Sequence, residues 1–212
     1  MEDRAIRDPE HLRALYEPPV GLAIKKQIDH LDRYARQFIA RSPFLCIASS
    51  NAEGKTDISP RGDPNGFVQV LDDHTLIIPD RPGNNRLDTM GNIVENPNVA
   101  LIFFVPGMDD TLRVAGKARI VRDDALLAQC EVNGRVPKVA IAVTAEEVFF
   151  HCAKALKRSR LWDPATQADR REMPSLARII LDQASESGAC ADDALVEKAD
   201  RMVEENYRTG LY

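Results

Sequence analysis

Three features of this sequence predict an α+β fold, mainly β with flanking helices. Six or more short apolar runs between residues 43 and 151 are bounded by Gly, Pro, Asn and Asp, as strands are. A helical segment interrupts that series without producing a regular β-α-β alternation, which argues against a doubly wound parallel sheet. Helical spacing returns at both ends of the chain. A small antiparallel barrel with helices packed outside it satisfies all three.

Taken in order, residues 4–16 are charged and helical, ending before Pro18-Pro19. Residues 22–40 place Ile24, Ile28, Leu31, Tyr34, Ala35, Phe38 and Ile39 at steps of three and four, which predicts one amphipathic helix. Pro43 stops it, because proline disfavours helical geometry in the residue before it. PFLCIASS reads as a strand, NAEGK as a turn, and FVQVLDDHTLIIP as two strands joined at Asp72-Asp73. NNRLDTMGNIVEN reads as a helix with Asn84 or Asn85 at its N-cap, weakened by Gly91. NVALIFFVP is continuously apolar, as a strand buried on both faces would be, and TLRVAGKARIV alternates. Asp123 is placed to cap a short helix, and KVAIAVTAEEVFFH reads as two more strands. AKALKRSRLW, PSLARIILDQ and DDALVEKADRMVEENYR are then helical.

Composition narrows the function. A formal charge of −5 in 212 residues argues against a surface built for nucleic acid or anionic membrane. No apolar run approaches the roughly 20 residues that span a bilayer. The charged amino-terminal stretch lacks a signal-peptide apolar core, so a cytoplasmic location is expected. Cys46, Cys130, Cys152 and Cys190 have no CxxC spacing and read as unpaired thiols rather than metal ligands. GxGxxG and GxxxxGK[ST] are both absent. Arg61-Gly62-Asp63 spells an adhesion tripeptide, but that reading requires extracellular display, which nothing here provides.

Arg61, Arg81 and Arg86 each stand beside Gly, Pro or Asn near the end of an apolar run. If a helix starts near Asn85, Arg86 falls in its first turn, where free N–H groups and the positive dipole end already favour an anion. A bound phosphate there would reverse an otherwise unfavourable arginine. The competing reading has Arg86 in solvent or paired with Asp80 or Asp88. HCAKALKRSRLW is the most basic stretch, with Lys154 and Arg158 four apart on one face and Trp162 one step beyond. It serves either as an anion contact or as a solvated face, and Trp162 either stacks on a planar ring or covers the core. His151 has no triad, HExxH or carboxylate partner in the sequence.

SPRGDP, IPDRPGNNR, ENPNVALIF, TLRVAGKARI and HCAKALKRSRLW, in that order, resemble the pyridoxamine-phosphate-oxidase-like flavoproteins. The resemblance covers roughly residues 20–185 and is nearest an uncharacterised bacterial branch. It implies an FMN-binding split β-barrel of antiparallel, Greek-key type at residues 43–165. A helical segment at 1–42 and a C-terminal helical extension at 166–212, packed on the barrel, would flank it. It also implies a homodimer with FMN at the subunit interface and a small-molecule substrate.

Arg86 and Asn85 match the family's phosphate loop. Ser59, Arg61, Gly62 and Asp63 match the strand beside the cofactor, and Pro79 and Asp80 the strand end before the loop. Thr111 stands where the oxidase carries a flavin-contacting glutamine. Lys154, Arg158, Ser159 and Trp162 match the segment that reaches the cofactor. The oxidase's arginine-histidine substrate pair is not recognisable, so pyridoxamine phosphate is not the expected substrate. The expectation is an FMN-dependent oxidoreductase with no catalytic side chain, since the flavin carries the redox chemistry. Relatives that bind haem or a deazaflavin, and a flavin-binding module without turnover, are the alternatives.

Overall fold

Seven strands form one antiparallel sheet in the order β2-β1-β5-β6-β7-β4-β3, which does not close on itself. The computed structural model describes residues 5–19, 21–185 and 190–212. The strands are β1 (Phe44–Ser50), β2 (Thr56–Gly62), β3 (Gln69–Val70), β4 (Thr75–Pro79), β5 (Asn98–Phe104), β6 (Thr111–Val121) and β7 (Ala140–His151). The helices are α1 (Pro9–Ala14), α2 (Gly21–Lys25), α3 (Arg33–Ile39), α4 (Asp88–Glu95), α5 (Asp124–Ala128), α6 (Lys154–Ser159), α7 (Leu176–Ala184) and α8 (Asp193–Thr209). Among the described residues no helix is long and apolar enough to cross a membrane.

Alternation builds the core. Leu45 and Ile47 of β1, Leu101 and Phe103 of β5, and Leu112 and Val114 of β6 all point inward. α3 closes this layer with Ala35, Phe38 and Ile39, and the Phe38 and Phe150 rings meet edge to face at 5.5 Å. On the other side of the sheet Leu127 of α5 packs with Ile77, Ala140 and Ala142. Asp123 caps α5 as predicted, accepting a hydrogen bond from the Leu126 N–H.

Several elements differ from the sequence reading. The predicted helix over 22–40 is broken into α2 and α3. Between them Ile28 exchanges two backbone hydrogen bonds with Val148, and Leu31 N–H donates to the Asp73 carbonyl. Asp32 then caps a new helix through the Tyr34 and Ala35 N–H groups. Tertiary strand pairing has overridden a good helical pattern. The amino-terminal helix spans only Pro9–Ala14, and its expected start at Arg4 lies outside the described residues.

β5 is fully buried on one face only, with Ala100, Ile102 and Phe104 partly exposed on the other. The predicted pair of strands in 138–151 is a single 12-residue strand, β7. The break in its pattern is a bulge opposite Ala115/Gly116. There a Cβ on Gly116 would stand 1.9 Å from the Thr144 carbonyl oxygen, so backbone approach alone selects glycine.

Candidate functional site

The edge strand β2 divides the polar chemistry from the apolar. Its partners across β1 are Leu45↔Arg61, Ile47↔Ser59 and Ser49↔Asp57, all on the inward face, while Ile58, Pro60 and Gly62 share the outward face with Ala48, Cys46 and Phe44. Around this edge, β2 with residues of both its faces, the loop at 80–87, the start of α4 and the loop at 135–138 line a cleft of about 1060 Å³.

α4 is pinned beside this cleft by side chains. Thr89 Oγ1 donates to Asp57 at 2.9 Å, and Asn92 Nδ2 and Asn96 Nδ2 donate to Ser49 and Ser50 of β1 at 3.0 and 2.9 Å. The helix starts later than predicted. Its N-cap is Leu87, in a left-handed conformation (φ 60°) with no side-chain cap, and neither Asn84 nor Asn85 fills that position. Asn84 Oδ1 instead accepts from the Arg86 N–H within the loop, and Asn85 is also left-handed (φ 57°). Arg86 therefore lies in the loop before α4 rather than in its first turn.

All three strand-end arginines line the cleft, and each already has an aspartate. Arg61 Nη1 lies 3.0 Å from Asp80, with side chains only 17% and 21% exposed. Arg61 Nε is buried and has no hydrogen-bond partner, which is unusual for so strong a donor. Arg81 Nε donates at 2.5 Å to Asp63, whose side chain is 1% exposed. Arg86 Nε meets Asp88 at 2.7 Å, and Arg86 is 71% exposed. The Asp88 hydrogen bond and charge push the Arg86 pKa above its ordinary value. Arg61 and Asp63 are thus tied into this network, and the Arg-Gly-Asp tripeptide is not displayed on a loop.

Among the predicted residues, Ser59, Arg61, Gly62, Pro79, Asp80, Asn85 and Arg86 line the cleft together, with Asp63 behind Arg81. Thr111 does not join them. It is buried on β6 and lines a smaller pocket of about 350 Å³ with Arg113, His151 and Cys152; Ile58 borders both spaces. Lys154, Arg158, Ser159 and Trp162 line neither. α6 ends at Ser159 with Arg160 left-handed, so Trp162 is not on its face, and Trp162 Nε1 donates to the Met108 carbonyl at 2.8 Å. Ser159 Oγ donates to the Leu156 carbonyl at 3.0 Å. Among the described residues Lys154 and Arg158 have no ion pair.

The structure adds Arg135, Lys138 and Tyr212 to the cleft. Arg135 and Lys138 lie in the segment that leads from a tight turn into β7. Val132 and Arg135 exchange two hydrogen bonds there, and Asn133 (φ 51°) and Gly134 (φ 74°) both take left-handed geometry. Asn-Gly is a strong hairpin signal, and a basic residue beside Gly and Pro repeats the pattern of Arg61 and Arg81, so this loop was legible in the sequence. Tyr212 was not. Its hydroxyl donates to Asp63 at 2.5 Å, and the Arg81 guanidinium lies 5.6 Å from its ring centre. The hydrogen bond to Asp63, then burial, hold its phenol protonated above the usual tyrosine range. In all, five cationic side chains stand against four acidic ones around this cleft, in a chain whose net charge is −5.

A family model described as pyridoxamine 5'-phosphate oxidase matches residues 31–152. The chain belongs to that family. The match spans β1 to β7 and α4, and the open antiparallel sheet is its split barrel. Among solved structures, HupZ from Group A Streptococcus is similar at 20% identity, over 56% of this chain and 92% of that one, with a TM-score of 0.47. A putative pyridoxamine 5'-phosphate oxidase from Lactobacillus delbrueckii is similar at 21% identity, over 57% and 99%, with a TM-score of 0.43. An FMN-binding protein from Syntrophomonas wolfei is similar at 13% identity, over 68% and 96%, with a TM-score of 0.46. No curated protein matches the sequence.

Proposed function

We propose that this split barrel binds FMN in the cleft beside β2 and α4 and serves as an FMN-dependent oxidoreductase for a small molecule. The observation that carries the reading is a cleft lined by five basic side chains in an acidic protein, one of them with a buried donor left unpaired, beside a helix start that no side chain caps. Its donors suit a dianion. The first turn of α4 offers backbone N–H groups that no side chain caps, Arg86 is exposed enough to turn toward a ligand, and Arg61 Nε has an unused proton. About 1060 Å³ also leaves room for a flat ring along Ser59 and Arg61. Asn85 and Arg86 would hold the phosphate, and Arg61 would be the bridge toward the ring.

Bound FMN would supply the redox chemistry, with the protein binding, orienting and excluding water. The aspartates act on the arginines in this scheme: Asp80 and Asp63 hold Arg61 and Arg81 in fixed rotamers, so less freedom is lost on binding.

The reading includes a homodimer. The outward face of β2, β1 and β5 carries Ile58, Pro60, Phe44, Cys46, Ala48, Ala100, Ile102 and Phe104 in register, where an unpartnered antiparallel sheet would show polar side chains. Ile58 is 67% exposed. A second copy on this face would bury it.

The direct test is the absorbance spectrum of freshly purified protein, followed by cofactor release and mass measurement. A flavin spectrum with the mass of FMN supports the reading. Colourless protein that neither quenches added FMN fluorescence nor distinguishes it from riboflavin refutes it.

A further inference from the structure

We propose that Tyr212 is the buckle of a strap, formed by α8 and the residues after it, that closes the cleft and must release for ligand to enter or leave. The proposal deepens the FMN reading and rests on it only for the identity of the ligand.

Packing holds α8 weakly. Along its 17 residues, Val196 is the one fully buried, whereas the seven-residue α3 buries three. α8 lies against α7, where Arg178 donates to the Ala191 carbonyl at 2.5 Å and pairs with Asp193 near the start of α8. At the far end the hold on the barrel is polar. Tyr212 donates its hydroxyl to Asp63, and the Arg135 guanidinium donates to the Tyr212 carbonyl oxygen. Gly210 and Tyr212 themselves form part of the cleft wall. A long helix with little buried apolar surface, fastened by a few polar contacts, belongs to the low-stability end of a structure.

The buckle sits on the ligand's own hardware. Asp63 is almost wholly buried and takes one hydrogen bond from Arg81 and one from Tyr212, while the Tyr212 ring lies beside the same guanidinium. With the strap fastened, Arg81 is bounded by Asp63 on one side and an aromatic ring on the other. With it released, the Tyr212 side of the cleft opens, and Asp63 keeps Arg81 in place for an incoming anion.

The test compares wild type with Tyr212→Phe, which keeps the ring and removes the hydroxyl. Tyr207→Phe, at an exposed tyrosine of α8 itself, is the control. Two readouts need no ligand: hydrogen exchange of the α8 amides, and phenylglyoxal labelling of Arg81 followed by mass spectrometry. A strap predicts that Tyr212→Phe raises α8 exchange by about tenfold, the loss expected for one hydrogen bond to a charged group. Arg81 labelling should accelerate several-fold, and Tyr207→Phe should move neither. With FMN, association and dissociation should both quicken while the dissociation constant changes less than about threefold, as for a gate rather than a contact.

Unchanged α8 exchange, or faster exchange with unchanged Arg81 labelling, overturns the proposal. So does an FMN affinity that falls while the rate of entry stays constant. If wild type binds no FMN, the proposed function fails, and the two ligand-free readouts still decide the strap.

Discussion

The proposed function gives Arg61 two jobs, pairing with Asp80 and holding FMN, and a double substitution separates them. In Arg61→Met the stem volume is retained and the charge is lost, leaving Asp80 without its 3.0 Å partner. A hydrogen bond to a charged group contributes about 1.5–3 kcal/mol; since both side chains keep about a fifth of their surface in water, a stability loss of about 1–2 kcal/mol is expected. For a chain of 212 residues that lowers the melting temperature by roughly 2–8 °C. Adding Asp80→Asn removes the stranded carboxylate, and most of this loss should return, because deleting both partners costs far less than deleting one.

Ligand binding should not return. If the unpaired Nε and its positive charge serve FMN, affinity falls by about 10- to 150-fold in the single variant and stays there in the double. Circular dichroism melting measures the first effect and quenching of flavin fluorescence the second, with riboflavin, which lacks the phosphate, titrated in parallel. FMN affinity that recovers with stability in the double variant would show that Arg61 acts only through the fold, and the cofactor argument built on it would fail.

Arg86→Ala should weaken FMN about tenfold or more while leaving riboflavin unaffected, and Asp88→Asn, which frees Arg86, should tighten FMN; isothermal titration of both ligands checks the opposite signs. Gly116→Ala forces a methyl against the Thr144 carbonyl oxygen and should cost about 1–3 kcal/mol in urea unfolding, because the bulge cannot move without breaking β6 from β7. Ile58→Glu places a charge in the middle of the outward apolar face and should convert a dimer to monomer by sedimentation; wild type that is already monomeric refutes the dimer.

Raising the pH to ionise Tyr212 would set a phenolate against Asp63, opposed in part by Arg81 and Arg135. Since its folded pKa is raised, the stability from this hydrogen bond is full below the unfolded tyrosine value and is lost as pH rises through the folded one. A tyrosinate absorbance titration should therefore show a late-ionising phenol that Tyr212→Phe lacks.

What the sequence determined by itself was whatever depends on period and on neighbouring residues. Leu45 and Ile47 alternate with Cys46 and Ala48, so β1 and its inward face were readable, and Asp123 three residues before Leu126 was enough to define a cap. The grouping of Arg61, Arg81 and Arg86 at strand ends also pointed to one place, and they do line one cleft. Tertiary structure decided everything that depends on distant partners. Residues 22–40 have a sound helical pattern, yet Ile28 bonds to Val148, because the open strand β7 offers backbone groups that a solvated helix surface does not. Leu87 took a left-handed cap that no local rule favours, which moved Arg86 out of α4. The aspartates paired with Arg61 and Arg81 and the Tyr212–Asp63 contact, 149 residues apart, were settled by the fold, whereas Asp88, two residues from Arg86, was a partner the sequence already offered. Charge pairing is decided by distance in space, and a linear sequence carries spacing without distance.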